Sequence, residues 1–164
     1  IAICRYFEEL QPNPPLFGTG PLGRAQVEMW QRRMELGLLN SVATAFRHLH
    51  PAMATLEVPQ VAAWGEANKP RALEMLQLLD EQLGASRYVA GDAYSVADIT
   101  AMVAIDFMKP ARLARPEGLA NLERWYGEAS GRPSGRGRWS AGGRRSPRWP
   151  PPCSPPPPPS WRSW

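Results

Sequence analysis

The decapeptide Gly91-Asp92-Ala93-Tyr94-Ser95-Val96-Ala97-Asp98-Ile99-Thr100 carries a complete helix-start device directly ahead of an apolar run. Ser95 stands as N-cap, its hydroxyl placed to accept from the backbone N–H of Asp98, while the Asp98 carboxylate reaches back to the N–H of Ser95. Two of the donors that every helix N-terminus leaves without partners are satisfied reciprocally. Tyr94 and Ile99 occupy the flanking positions of a hydrophobic staple. Capping makes Ser95 and Asp98 structural residues: a serine nucleophile needs a base within reach, and the sequence nominates no histidine for it.

Downstream of the cap, Val96 to about Met108 is apolar on most sides, which predicts a buried helix closed by Pro110. Asp98 and Asp106 are its only acids, and Asp106 is left open between solvent and an arginine partner. Residues 117 to 132 place Leu119, Leu122, Trp125 and Tyr126 at helical spacing ahead of Gly131-Arg132-Pro133-Ser134.

Upstream, Val61, Trp64, Leu73, Leu76, Leu79 and Leu83 predict an amphipathic helix ending at Gly84, with Pro70 kinking or dividing it. Between Leu22 and Leu49 an apolar residue recurs every three or four positions, from Val27 and Trp30 to Phe46 and Leu49, interrupted only by Gly37. Arg24, Glu28, Arg32 and Glu35 form its polar face, with Glu28 and Arg32 at the favourable i, i+4 spacing. His48 and His50 project about 200° apart on a helix and have no further cluster to complete a metal site. Interaction with the helix C-terminus is their expected role, and no metal site is predicted.

Val89-Ala90-Gly91-Asp92 running into Tyr94-Ser95-Val96-Ala97-Asp98-Ile99 closely resembles the capping box that opens the buried central helix of the glutathione transferase C-terminal domain. Arg71-Ala72-Leu73-Glu74-Met75-Leu76 through Leu83, Tyr88-Val89-Ala90-Gly91 and the closing Arg132-Pro133-Ser134 are similar to the same family. Ile3, Tyr6, Phe7 and Leu10 follow helical spacing with no cap in front of them, and the stretch resembles the last helix of the family's thioredoxin-like domain. The expectation is a fragment cut inside an element. Pro12, Pro14, Pro15, Gly18, Gly20 and Pro21 then match the family's interdomain join. The resemblance implies an all-α bundle: residues 1–10 a remnant helix, 11–21 a linker, 22–134 the helical domain.

Composition bounds the rest. All 15 acidic residues precede residue 135, whereas residues 135–164 hold six Arg, nine Pro and four Trp, with no Leu, Ile, Val, Phe or Met. Such a segment cannot build a core, so the basic balance belongs to a disordered, low-complexity tail. Phosphate contacts with nucleic acid, recruitment of a proline-binding partner, and an out-of-frame reading of a G+C-rich gene compete to explain it. The abrupt break after Ser134 favours the last, so nucleic-acid binding is not the expected role. Cys4 and Cys153 cannot frame a secreted disulfide scaffold, and no apolar run suggests a membrane span. A cytoplasmic protein is the expectation.

Members of the family conjugate glutathione to electrophiles, using a Ser, Tyr or Cys of the N-terminal domain to manage the thiolate. The resemblance therefore implies a homodimeric parent enzyme with glutathione as co-substrate, a hydrophobic electrophile and no prosthetic group. It implies that no catalytic residue lies in this chain. By their position in the helix, Arg33, Met34, Gly37 and Leu38 are candidates for the electrophile wall, although a methionine stripe at helical spacing more often belongs to a core. The alternative is a non-catalytic helical interaction module, a use such domains have in translation factors and synthetases.

Overall fold

The structure, a computed structural model, describes residues 1–133, so the expectations for the tail lie outside the described residues. Its elements are α1 (Ala2–Leu10), α2 (Gly20–Arg32), a π-helical segment (Arg33–Leu39), α3 (Asn40–Leu49), a 3-10 turn (Pro51–Met53), α4 (Ala62–Ala85), α5 (Val96–Met108) and α6 (Ala120–Ser130). No β-strand occurs among the described residues, and the fold is all-α. Gly20 and Pro21, expected in the linker, already form the first turn of α2, where proline's missing N–H costs nothing.

From α2 through α3 the chain is one uninterrupted helical rod, and the π segment explains how its apolar stripe stays aligned. Met34, Leu38 and Val42 are spaced by four residues. On a regular α-helix each such step advances about 40° beyond a full turn, so the stripe would walk off the core. The wider π turn absorbs the excess. All three side chains are consequently fully buried. The π segment packs against α5, α4 and both flanking halves of the rod.

The central position of α5 follows from its composition. Ala97, Ala101 and Ala104 are fully buried, their small side chains permitting close approach, while Met102, Ile105 and Met108 fill the space between helices. Val103 is 40% exposed and marks its open side.

α4 is one 24-residue helix rather than two, with Pro70 inside it. Pro70 and Glu66 are exposed, so water can satisfy the carbonyl that proline leaves unbonded. The buried stripe is Ala72, Leu76, Leu79 and Leu83, whereas Val61 and Trp64 remain nearly half exposed. The helix passes Gly84 and ends at Ala85, capped by Ser86. Gly84 lies inside the helix instead of at its cap, in close contact with α6: a Cβ there would lie 3.1 Å from the Asn121 amide nitrogen.

The expected Glu28–Arg32 pair is replaced by two others. Glu28 pairs with Arg5 of α1, and Arg32 with Glu35 at 3.0 Å. Arg5 also lies over the Phe17 ring at 4.6 Å, and the Glu8 carboxylate accepts the N–H groups of Leu16 and Phe17. The polar side of α1 is thus pinned to the following loop. Its apolar side is bare: Ile3, Tyr6, Phe7 and Leu10 are 61–72% exposed.

Candidate functional site

The N-terminus of α5 is bonded to three separate parts of the chain. The capping box between Ser95 and Asp98 is formed. Asp98 Oδ2 accepts the Ser95 N–H at 2.8 Å and the Ser95 hydroxyl at 2.9 Å. Its Oδ1 accepts the Val89 N–H at 3.0 Å and the Trp125 indole N–H at 2.8 Å. The Val96 N–H, another donor of the first turn, goes to Leu16 O at 2.9 Å. One carboxylate therefore ties the 88–91 turn, the start of α5 and the middle of α6 together.

Asp98 is fully buried, and the donors facing it are all neutral. Burial pushes its carboxyl above the usual carboxylate range, opposed by the hydrogen bonds from Val89, Trp125 and Ser95. With both oxygens engaged by two donors each, it serves as a clamp instead of a proton acceptor for a substrate. The local spacing revealed the Ser95 half of this arrangement. Trp125, 27 residues away, and Val89 gave no sign in the sequence.

Tyr94 meets Tyr88 edge-on, with ring centroids 5.6 Å apart, and the Arg132 guanidinium lies 3.9 Å from its ring centroid. Ile99 is half-buried. Asp106 receives the Tyr126 hydroxyl, whose ring lies beneath Arg115.

Beside this clamp lies an open cleft of about 630 Å³ between α2 and the segment from Ala90 to Ser95. Trp30, Arg33 and Tyr94 border it, and the Arg33 guanidinium lies 4.8 Å from the Trp30 ring centroid. Of the four wall candidates, only Arg33 reaches this space. Met34 and Leu38 are wholly inside the core and present no surface to it. Gly37 lies beneath Met75, whose Cε would be 2.5 Å from an added Cβ.

His48 stands in the last turn of α3 and His50 at its C-cap, and each ring also takes a backbone N–H. His48 Nδ1 accepts the N–H of Val61, and His50 Nδ1 accepts that of Ala52. Each ring is occupied by a different stretch of backbone that follows α3. Among the described residues no group of His, Cys, Asp or Glu is arranged to hold a metal ion, and no helix is long and apolar enough to cross a membrane.

A long rod, a continuous α4 and a buried, box-capped α5 are features shared with known proteins. The family model for the glutathione S-transferase C-terminal domain matches residues 38–133. The chain belongs to the glutathione S-transferase family. Glutathione S-transferase 2 of Saccharomyces cerevisiae is 35% identical over 134 residues, covering 81% of this chain and 58% of the relative. The solved structure of Gtt2 from the same yeast superposes with a TM-score of 0.79 at 34% identity, covering 82% of this chain and 65% of the other. A Gtt2-class transferase of Vibrio parahaemolyticus gives 0.71 at 39% identity, covering 83% and 64%. The glutathione S-transferase chain described here thus spans less than two thirds of these relatives.

Proposed function

We propose that these residues form the helical half of an enzyme that conjugates glutathione to hydrophobic electrophiles, and that the 164-residue chain alone has negligible conjugating activity. The observation that carries this reading is α1. A helix with Ile3, Tyr6, Phe7 and Leu10 on one side and Arg5 and Glu8 anchoring the other is built to be covered. In this reading it is the last helix of a thioredoxin-like domain, residues 11–21 are the join, and residues 22–134 are the helical domain.

The division of chemistry follows. Lowering a thiol's pKa requires a hydrogen-bond donor or positive potential beside the sulfur. That task and the recognition of glutathione belong to the thioredoxin-like half. The helical half contributes an apolar surface from the α2 rod, with Arg33 at its edge, and a rigid frame set by the Asp98 clamp. Glutathione is a co-substrate, no prosthetic group is required, and the parent works as a homodimer in the cytoplasm.

The test is conjugation of glutathione to a chloro-dinitro aromatic electrophile, measured for the 164-residue chain and for the same chain preceded by the thioredoxin-like domain of the yeast relative. The expected result is turnover in the second protein only. Turnover by the chain alone overturns the division of roles, and silence in both, with both folded, favours the non-catalytic module.

A further inference from the structure

Residues 51–61, joining α3 to α4, are fastened at both ends by imidazole nitrogens acting as acceptors. At the near end, His50 Nδ1 accepts the Ala52 N–H at 3.2 Å, and the ring is stacked on Phe46 with centroids 4.7 Å apart. At the far end, His48 Nδ1 accepts the Val61 N–H at 3.1 Å, directly ahead of the first turn of α4. Between them the Gln60 amide donates to the carbonyls of Arg47 and His50 at 2.7 and 3.0 Å. Val61, the N-cap of α4, has no side chain that can cap the helix, and its own N–H goes to the imidazole.

An imidazole nitrogen accepts a hydrogen bond only while it carries no proton. Both rings must therefore be neutral, with the proton on Nε2. We propose that His48 and His50 form a proton-operated latch that fastens the Ala52 and Val61 N–H groups while the rings are neutral and releases both when the rings take up a proton. A proton added to Nδ1 turns each acceptor into a donor facing a backbone N–H.

The groups around the rings set how far this goes. Glu57 Oε1 lies 3.9 Å from His48 Nε2 and attracts the protonated ring, but it gives the Val61 N–H no acceptor. α4 faces His48 with Gly65, close enough that an added Cβ would lie 3.1 Å from His48 Cβ, and its first turn carries no acid. α3 contributes the uncharged ring of Phe46, stacked on His50, and Phe46 in turn meets Phe107 of α5. Gln60 keeps its bonds to Arg47 and His50, so the change is confined to the two fastening points.

The experiment is nitrogen NMR of the imidazoles together with amide hydrogen exchange of the 164-residue chain, corrected for intrinsic rates. At pH 7.5 both rings are expected as the Nε2–H tautomer. On acidification, once the imidazole nitrogen shifts report uptake of a proton, protection of the Ala52 and Val61 amides relative to that of Ala101 in α5 is expected to fall at least about tenfold. His48→Asn places a non-titrating oxygen where Nδ1 was, and should make Val61 insensitive to pH while Ala52 still responds. Unchanged protection at Val61 in the unmodified protein overturns the latch, as does a persistent fall in His48→Asn. If the variant does not fold, an Nδ1–H tautomer at pH 7.5 in the unmodified chain overturns it by itself.

Discussion

Asp80 of α4 and Arg124 of α6 cap each other's helices. Asp80 Oδ1 accepts the Leu122 N–H at 2.8 Å, and Oδ2 accepts the Asn121 amide at 3.2 Å. In return, Arg124 Nη2 donates to Leu83 O at 2.7 Å and to Ser86 O at 3.3 Å. α6 begins after Leu119, which has no capping group of its own, so a carboxylate from a neighbouring helix fills that role. Each charge also sits at the helix end whose dipole favours it.

Asp80→Ala is therefore expected to lower stability by about 1–2 kcal/mol, the range for losing an N-cap. Arg124→Ala should cost less, since that side chain is partly exposed. Urea unfolding checks both, and amide exchange at Leu122 should accelerate in Asp80→Ala.

The Asp98 clamp predicts a larger loss. Asp98→Ala strands the buried indole N–H of Trp125 and the Val89 N–H in addition to the cap, for a cost of about 3 kcal/mol or more. Ser95→Ala removes one hydroxyl and should cost about 1 kcal/mol. Equal urea midpoints for the two variants would contradict this ordering.

A carboxyl whose folded pKa is raised binds its proton more tightly folded than unfolded, so its contribution to stability is present in acid and is lost as pH rises. The window opens near the ordinary aspartate value, about 3.9, and closes at the raised folded value. Asp98→Asn does not titrate, so the stability difference between wild type and variant should narrow from pH 4 to 7. Glu128 shifts the opposite way, held low by its hydrogen bond from Arg87 on the surface, but it acts in both proteins and cancels. Paired urea titrations read the difference, and a gap that widens with pH would refute the sign.

Two glycines should respond differently to alanine. At Gly37 the conflicting atom is Met75 Cε, the free end of a flexible side chain, so Gly37→Ala should change stability by less than about 1 kcal/mol. At Gly65 the new methyl would meet Leu49 Cγ at 2.7 Å and His48 Cβ at 3.1 Å, atoms close to the α3 backbone. Gly65→Ala should cost about 1–3 kcal/mol, measurable as a lower thermal midpoint.

Local grammar was legible in the sequence, and contacts between distant residues were not. The Ser95–Asp98 box could be read because both partners lie within one turn, and the apolar density of residues 96–108 announced a buried helix. The other half of the clamp depends on Trp125, the helix-end exchange on residues some 40 positions apart, and the Arg5–Glu28 pair on how the proline-rich loop returns the chain from α1 to α2. Periodicity placed Met34 and Leu38 on one stripe with Arg33 beside them, but stripe position alone does not separate a core wall from a cleft wall. Gly84 and Pro70 looked like punctuation; one is a contact point with α6, and the other sits where water can complete the bonding.

The wide turn at Arg33–Leu39 works like a gear between two shafts. Removing one residue there would let a plain α-helix run from Gly20 to the end of the rod, with every hydrogen bond conserved in kind. Everything downstream would stay nearly in phase with α2, because seven residues in the wide turn sweep almost the angle that six sweep in a plain α-helix, and Val42 and Ala45 would remain in the interior. Loss of a single exposed residue such as Leu36 is then absorbed on the spot, whereas loss of one residue from regular α2 would turn α3 by about 100° and be felt far from the cut, through phase and not through any missing contact.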